Sequence, residues 1–448
     1  MAPALSSAAA ASLRTYINNS TITVSPLLPG ALVYITDSQN NVLFSYGVGT
    51  PTPPTAQSIS IIQSLTKLVG SIACLQLVER GLTSLDDPTI ILTHLPELAA
   101  KKVLTGYTTS PSGTKHFHFE DQHVSITPRM LLNHTYGGGH TYFNTLLFQY
   151  FQDRGIWHTT NEAADTYATL LASPLLWQPG TKTNYGQGLD WIAVLIERLT
   201  GQKLAEYLEE NIFKPLGMSA TGFEPGFGGD VLEREGNEGM FWPRVLRDGN
   251  GTDEGEGESG GFTKLDPDVP EIKTRDDAFP AGNYHTGSLG TGLVSCAKDS
   301  TRLLSILLPQ NAGRDPVTGR RMLSPKSVAE ITSAQLPEHI RCDSRNVPAS
   351  GASSIILPGL LEAAHIDPHG SFGLGCGVQG ADRVLKNGQR GRSKRSVYWY
   401  GAANTECWVD GEKGIVVFVN GNFYPWNDEN WLGFVAGVEG QVYKELQE

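Results

Sequence analysis

The segment from Leu65 to Val78 constrains this chain more than any other. Its apolar residues Leu65, Leu68, Val69, Ile72, Leu75 and Val78 recur at steps of three and four, the spacing of a helix driven into a core. Gly81, just past Glu79 and Arg80, is the expected stop. At its head stands Ser64-Leu65-Thr66-Lys67. Ser64 falls in the first turn, beside the free N–H groups and the positive end of the helix dipole, and Lys67 returns to the same face with Cβ atoms about 5–6 Å apart. A serine becomes a nucleophile when a neighbour takes its proton, and an amine does so once burial or nearby positive charge lowers its pKa. A capping serine followed by a surface lysine gives the same tetrapeptide, so its weight depends on the rest of the chain.

The rest reads in order. An opening helix over residues 1–20 precedes two strand-like runs, Ala31–Thr36 and Val42–Tyr46, joined by the turn-prone Asp37–Asn41. Beyond the Ser64 helix come the breaker Leu85-Asp86-Asp87-Pro88 and a polar segment from Gly106 to His123. Thr127 is placed to cap a short helix starting at Pro128 and ending at Gly137–Gly139. Helices are expected over Leu189–Leu199, closed by Gly201, over Leu204–Phe213, and around Asp299–Leu308. Residues 226–282 are rich in glycine and acid and read as a long loop or lid. Strands return at Ser396–Tyr400, Thr405–Val409 and Ile415–Asn420, followed by a helix over Trp431–Leu446. Strands at both ends with helices between imply an α+β fold, in which the two ends make one antiparallel sheet interrupted by a mostly helical insertion. The expected division is 1–80 with 285–448 for the sheet domain and 81–284 for the insertion.

A formal net charge of -12 with no compensating basic block argues against nucleic acid and against an anionic membrane surface as partners. No run reaches the ~18 apolar residues of a membrane span. The five cysteines are odd in number and lack metal-type spacing. Reduced thiols and a cytoplasmic setting are expected, since the first residues lack an export signal.

Ser64-Leu65-Thr66-Lys67, Leu75–Gly81, Leu85–Pro88, Leu131-Leu132-Asn133-His134-Thr135, Tyr185–Trp191 and Gly401 before a strand hairpin together resemble the serine β-lactamase-related superfamily. The likeness runs from about Gly30 to Asn422 and inclines to its class C-like esterases and, above all, to the fungal polyketide acyltransferases of statin side-chain type. It implies a β-lactamase/transpeptidase-like fold and an acyl-enzyme on Ser64. Lys67 and the Tyr185 phenol would converge on that hydroxyl, either one serving as base. The backbone N–H groups of Ser64 and Ala402 would hold the oxyanion. The third motif would be Trp399-Tyr400-Gly401, where β-lactamases and peptidases carry a lysine or histidine; an indole cannot pair with a carboxylate, so an uncharged acyl group or apolar acceptor is expected, unless Lys394 or Arg395 restores the charge. Gln187 stands where relatives carry asparagine, and either reaches the lysine or leaves that hydrogen bond to another group.

His285-Thr286-Gly287 is a rival third motif, but it precedes a glycine loop and is read as a loop beside the cleft. Tyr142, Phe143, Trp399 and Tyr400 are candidates for a wall that keeps water from the acyl-enzyme. His116–His123 has metal-ligand residue types at the wrong offsets and reads as a solvated loop. The reading calls for no metal or cofactor. Its partners are a small-molecule acyl donor and acceptor, with an acyl carrier protein as a further candidate donor whose docking patch would be Arg392–Arg395. A β-lactamase or peptidase, and an isomerase or cyclase using Lys67 and Tyr185 as acid and base, are the alternatives.

Overall fold

A computed structural model describes residues 3–21, 27–49, 52–140, 144–155, 167–225, 228–247, 262–264, 287–340, 370–385, 387–424 and 428–447. The opening helix, α1 (Ser7–Thr21), leads to the hairpin of β1 (Gly30–Asp37) and β2 (Val42–Gly49). The Asp37 carboxylate turns it, accepting from the amides of Gln39 and Asn41, both at 2.8 Å. The Ser64 segment forms α2 (Thr66–Glu79), and α3 (Gly188–Thr200) ends at Gly201 in the left-handed region, φ 71°. The chain closes with β3 (Ser371–Phe372), β4 (Gly377–Val378), β5 (Val397–Gly401), β6 (Thr405–Asp410), β7 (Ile415–Asn420) and α4 (Glu429–Glu445).

The seven strands form one sheet in the order β3-β4-β5-β6-β7-β1-β2, antiparallel throughout. The first and last thirds of the chain meet at β7 and β1, where Phe418 faces Tyr34 and Ile415 faces Asp37. Alternation along β7 divides its side chains. Ile415, Val417 and Val419 pack under α1 and α4 with Leu13, Ile17 and Val438, while Val416 and Phe418 join Ile72 of α2 and the helices beyond. Both faces of the central strands are thus buried, which is why β7 reads as an unbroken apolar run.

Four expectations are corrected. The polar segment is a hairpin, Val103–Thr109 paired with Lys115–Glu120, in which Phe117 turns inward onto Tyr150 at 5.1 Å while His116 and His118 face solvent. The helix from Leu204 passes through a π-turn, Glu209–Phe213, and across Pro215 to Leu216; Pro215 sits in the first turn of a new segment, where its missing N–H costs nothing. Within the glycine- and acid-rich stretch, Val245–Arg247 and Phe262–Lys264 are strands paired with each other, and Val245–Arg247 pairs on its other side with Phe423–Tyr424. Arg392 is no surface residue: it is 1% exposed and held by Glu439 at 2.9 Å, so only Lys394 and Arg395 of the expected docking patch reach solvent. Among the described residues no helix is long and apolar enough to cross a membrane, and Cys74, Cys296, Cys376 and Cys407 are buried free thiols.

Candidate active site

Ser64 lies on a short 3-10 turn, Gln63–Leu65, that runs straight into α2. Gln63 adopts φ 48°, a left-handed conformation that costs a non-glycine residue about 1–2 kcal/mol. The turn is stitched to the strand at Leu293 by Ile62 N donating to Leu293 O (3.1 Å) and by Leu293 N donating to Thr66 Oγ1 (3.3 Å). Ser64 is left half-buried at the edge of the core, one turn from Lys67.

Lys67 is 1% exposed. Its ammonium donates to Ser64 Oγ at 3.2 Å and to the carbonyl of Gly290 at 2.7 Å, and it stands 4.6 Å from the centroid of the Tyr185 ring. The lysine's second bond thus goes to Gly290 rather than to Gln187. Gly290 is itself pinned by Asp190 of α3, whose Oδ1 accepts from Gly290 N at 3.0 Å and from Ser288 Oγ at 2.6 Å. Gln187 is buried at the N-terminus of α3, with its Oε1 lacking a hydrogen-bond partner among the described residues. Sequence reasoning missed Gly290, because a backbone carbonyl leaves no mark on residue identity. Asp190 was in view only as part of a motif.

Tyr185, also buried, sits in a nest of rings: His134 at 4.7 Å, His140 at 5.3 Å and Trp399 at 5.4 Å between centroids. Burial first, and then the charge on Lys67, hold both histidines well below the ordinary imidazole value, so both rings are neutral. Phe372 closes a four-ring box, 5.0 Å from His134 and 5.6 Å from Trp399.

The end of β5 abuts the Ser64 turn. A Cβ on Gly401 would come within 2.4 Å of the Ile62 carbonyl, so only glycine lets this strand approach, and Ala402, half-buried, follows directly. Trp399 shares the Gly401 face and lies in the core around α2. Tyr400 points the other way, 5.9 Å from Tyr398, as the two-residue period of a strand requires. It therefore lines the back of the sheet as well as leaning on Trp399. Lys394 and Arg395 lie beyond the opposite end of β5, about 20 Å along an extended chain from Gly401, and bring no charge to this end. His285, Tyr142 and Phe143 lie outside the described residues.

Comparison with known proteins identifies the family and the fold. The Beta-lactamase family model matches residues 21–434. The chain is 26% identical to monacolin J acid methylbutanoyltransferase of Aspergillus terreus over 94% of its own length and 93% of that protein. It is 34% identical to lovastatin esterase of Penicillium rubens over 203 residues, 44% of this chain and about half (49%) of the esterase. A mutant of simvastatin synthase from Aspergillus terreus superposes with a TM-score of 0.76 at 23% identity, covering 98% of this chain and 95% of that one, which establishes the β-lactamase/transpeptidase-like fold. The chain belongs to the beta-lactamase family, among the serine enzymes related to fungal statin side-chain acyltransferases and esterases.

Proposed function

We propose that this enzyme carries an acyl group on Ser64 and passes it to the hydroxyl of a small natural product in secondary metabolism, as a transferase or, with water as acceptor, an esterase. The observation that carries the reading is the Lys67 ammonium, buried and 3.2 Å from Ser64 Oγ, with Tyr185 against it. Ser64 Oγ adds to the donor's carbonyl carbon as its proton passes either to Lys67 in its uncharged amine form or to the Tyr185 phenolate with Lys67 still an ammonium. The carbonyl's bond to its alkoxide or thiolate leaving group breaks, and that group takes up the proton. The acceptor's hydroxyl then attacks the acyl-enzyme, its proton returning to Ser64 as the ester forms. The amides of Ser64 and Ala402 receive the oxyanion in both steps, and Trp399 and Gly401 shape the acyl pocket.

Trp399, where an ammonium or imidazole would bind a carboxylate, favours an uncharged acyl group over a β-lactam or peptide C-terminus. With Arg392 buried, a small-molecule ester or thioester is the better donor, and a carrier protein the lesser one. The setting we infer is cytoplasmic, in keeping with the four buried free thiols. A short p-nitrophenyl ester should give a burst and a mass increase on Ser64, both absent in Ser64→Ala. Neither appearing would overturn the acyl-enzyme, retained activity in Ser64→Ala would favour proton-transfer chemistry, and rapid cephalosporin turnover would favour the hydrolase reading.

A further inference from the structure

We propose that His134 and His140 are positioning residues that grip Tyr185 from two sides and hold its ring in the orientation the reaction uses. This rests on the reading of Tyr185 as an acid–base partner of Ser64. Both histidines belong to one loop, residues 133–140, which folds around the segment delivering the tyrosine.

His134 has φ 60°, a left-handed conformation that histidine tolerates better than most side chains. That geometry turns its carbonyl and its ring toward the same target. The carbonyl accepts from Asn184 N at 2.9 Å and from Thr183 Oγ1 at 3.2 Å, and the ring lies 4.7 Å from that of Tyr185. At the far end of the loop, Gly138 O accepts from Asn184 Nδ2 at 3.2 Å. The backbone of Gly139 approaches so closely that a Cβ on Gly186 would meet its Cα at 2.7 Å. His140 then places its ring 5.3 Å from Tyr185. The residues before and after the tyrosine are thus held by backbone contacts, and the ring is bounded by two imidazoles, an indole and the Lys67 ammonium.

This is more than core filling. Among the described residues neither ring nitrogen of His134, though buried, has a hydrogen-bond partner, a cost of about 1–3 kcal/mol that a purely apolar side chain would not carry. Neutral imidazoles also pack beside Lys67 without adding a second cation. A phenol held by its neighbours keeps its oxygen in place, and a displacement of about 1 Å at a reacting group costs on the order of a hundredfold in rate.

His134→Asn keeps a residue suited to the left-handed region and removes the ring, and His140→Ala tests the other side of the grip at a position without that backbone demand. In each, kcat for acyl transfer should fall roughly tenfold or more while KM changes little. Added to Tyr185→Phe, either substitution should cause almost no further loss, because it acts through the tyrosine. Wild-type kcat in both variants, or losses that multiply in the double variants, overturns the proposal while leaving Tyr185 in its role. Wild-type kcat in Tyr185→Phe alone overturns both the proposal and the reading beneath it.

Discussion

At the scale of single residues, the site depends on close approach. The Gly401 Cα lies where a methyl group would press on the Ile62 carbonyl, 2.4 Å away, and Ile62 leads directly into the turn that presents Ser64. Gly401→Ala should fold but shift that turn, slowing acylation of Ser64 by on the order of a hundredfold in a burst assay, with a modest fall in Tm. Ser64, Lys67 and Tyr185, to which we assign the chemistry, stood out in the sequence because acid–base chemistry needs specific side chains at specific spacings, and Lys67 lies against both of the others. Gly290 did not stand out, since any residue has a carbonyl, and neither did the grip of His134 and His140 on Tyr185, which depends on a loop conformation. Tyr400 leans on Trp399 at 5.5 Å, while the strand's two-residue period also turns it toward Tyr398 on the other face, at 5.9 Å.

At the scale of elements, the sheet's hidden face carries a buried charge cluster. Glu439 of α4 accepts from Arg392 N at 2.7 Å and Nε at 3.1 Å, with Arg383 at 3.3 Å. Against the cost of burial, the two arginines hold its carboxyl down at about 2. Glu406 of β6 lies by the same cluster, and burial, the largest cause, raises it to about 7 despite Arg392 and Arg383. The signs follow. A raised carboxyl favours the protonated form in the folded protein, so its contribution is full below the ordinary value of 4.5 and is lost as pH rises through about 7. Glu406→Gln should match the wild type in Tm near pH 5 and exceed it near pH 9, by on the order of 3 kcal/mol in unfolding free energy. Glu439→Gln strands two guanidinium groups and should cost about 3–5 kcal/mol at neutral pH in denaturant titration. The short basic run around Arg392 read as a docking patch because charge in a sequence does not say which partner waits across the fold. The hairpin at Val103–Glu120 was hidden for a related reason: its outward residues are polar and its inward ones are few.

At the scale of the whole molecule, the fold class was legible because both ends of the chain carry β-patterned runs while the middle is helical. The assignment of 1–80 with 285–448 to one domain and 81–284 to another remains our proposal, built on that pattern. The pairing of β7 with β1 joins residues from opposite ends of the sequence, a topology that closes a very long loop before its contacts are rewarded. Refolding from denaturant should accordingly be slow, with fluorescence from Trp399 and Trp408 recovering together with activity rather than ahead of it. The same pairing has a meaning for biosynthesis. As the ribosome releases this chain, β1 and β2 emerge with the β1 edge bare and must wait until the segment Ile415–Asn420 has been made before β7 arrives. During that interval the nascent protein depends on chaperones to shield the edge, so cooler growth should raise the yield of active enzyme from a foreign host more than a stronger promoter would.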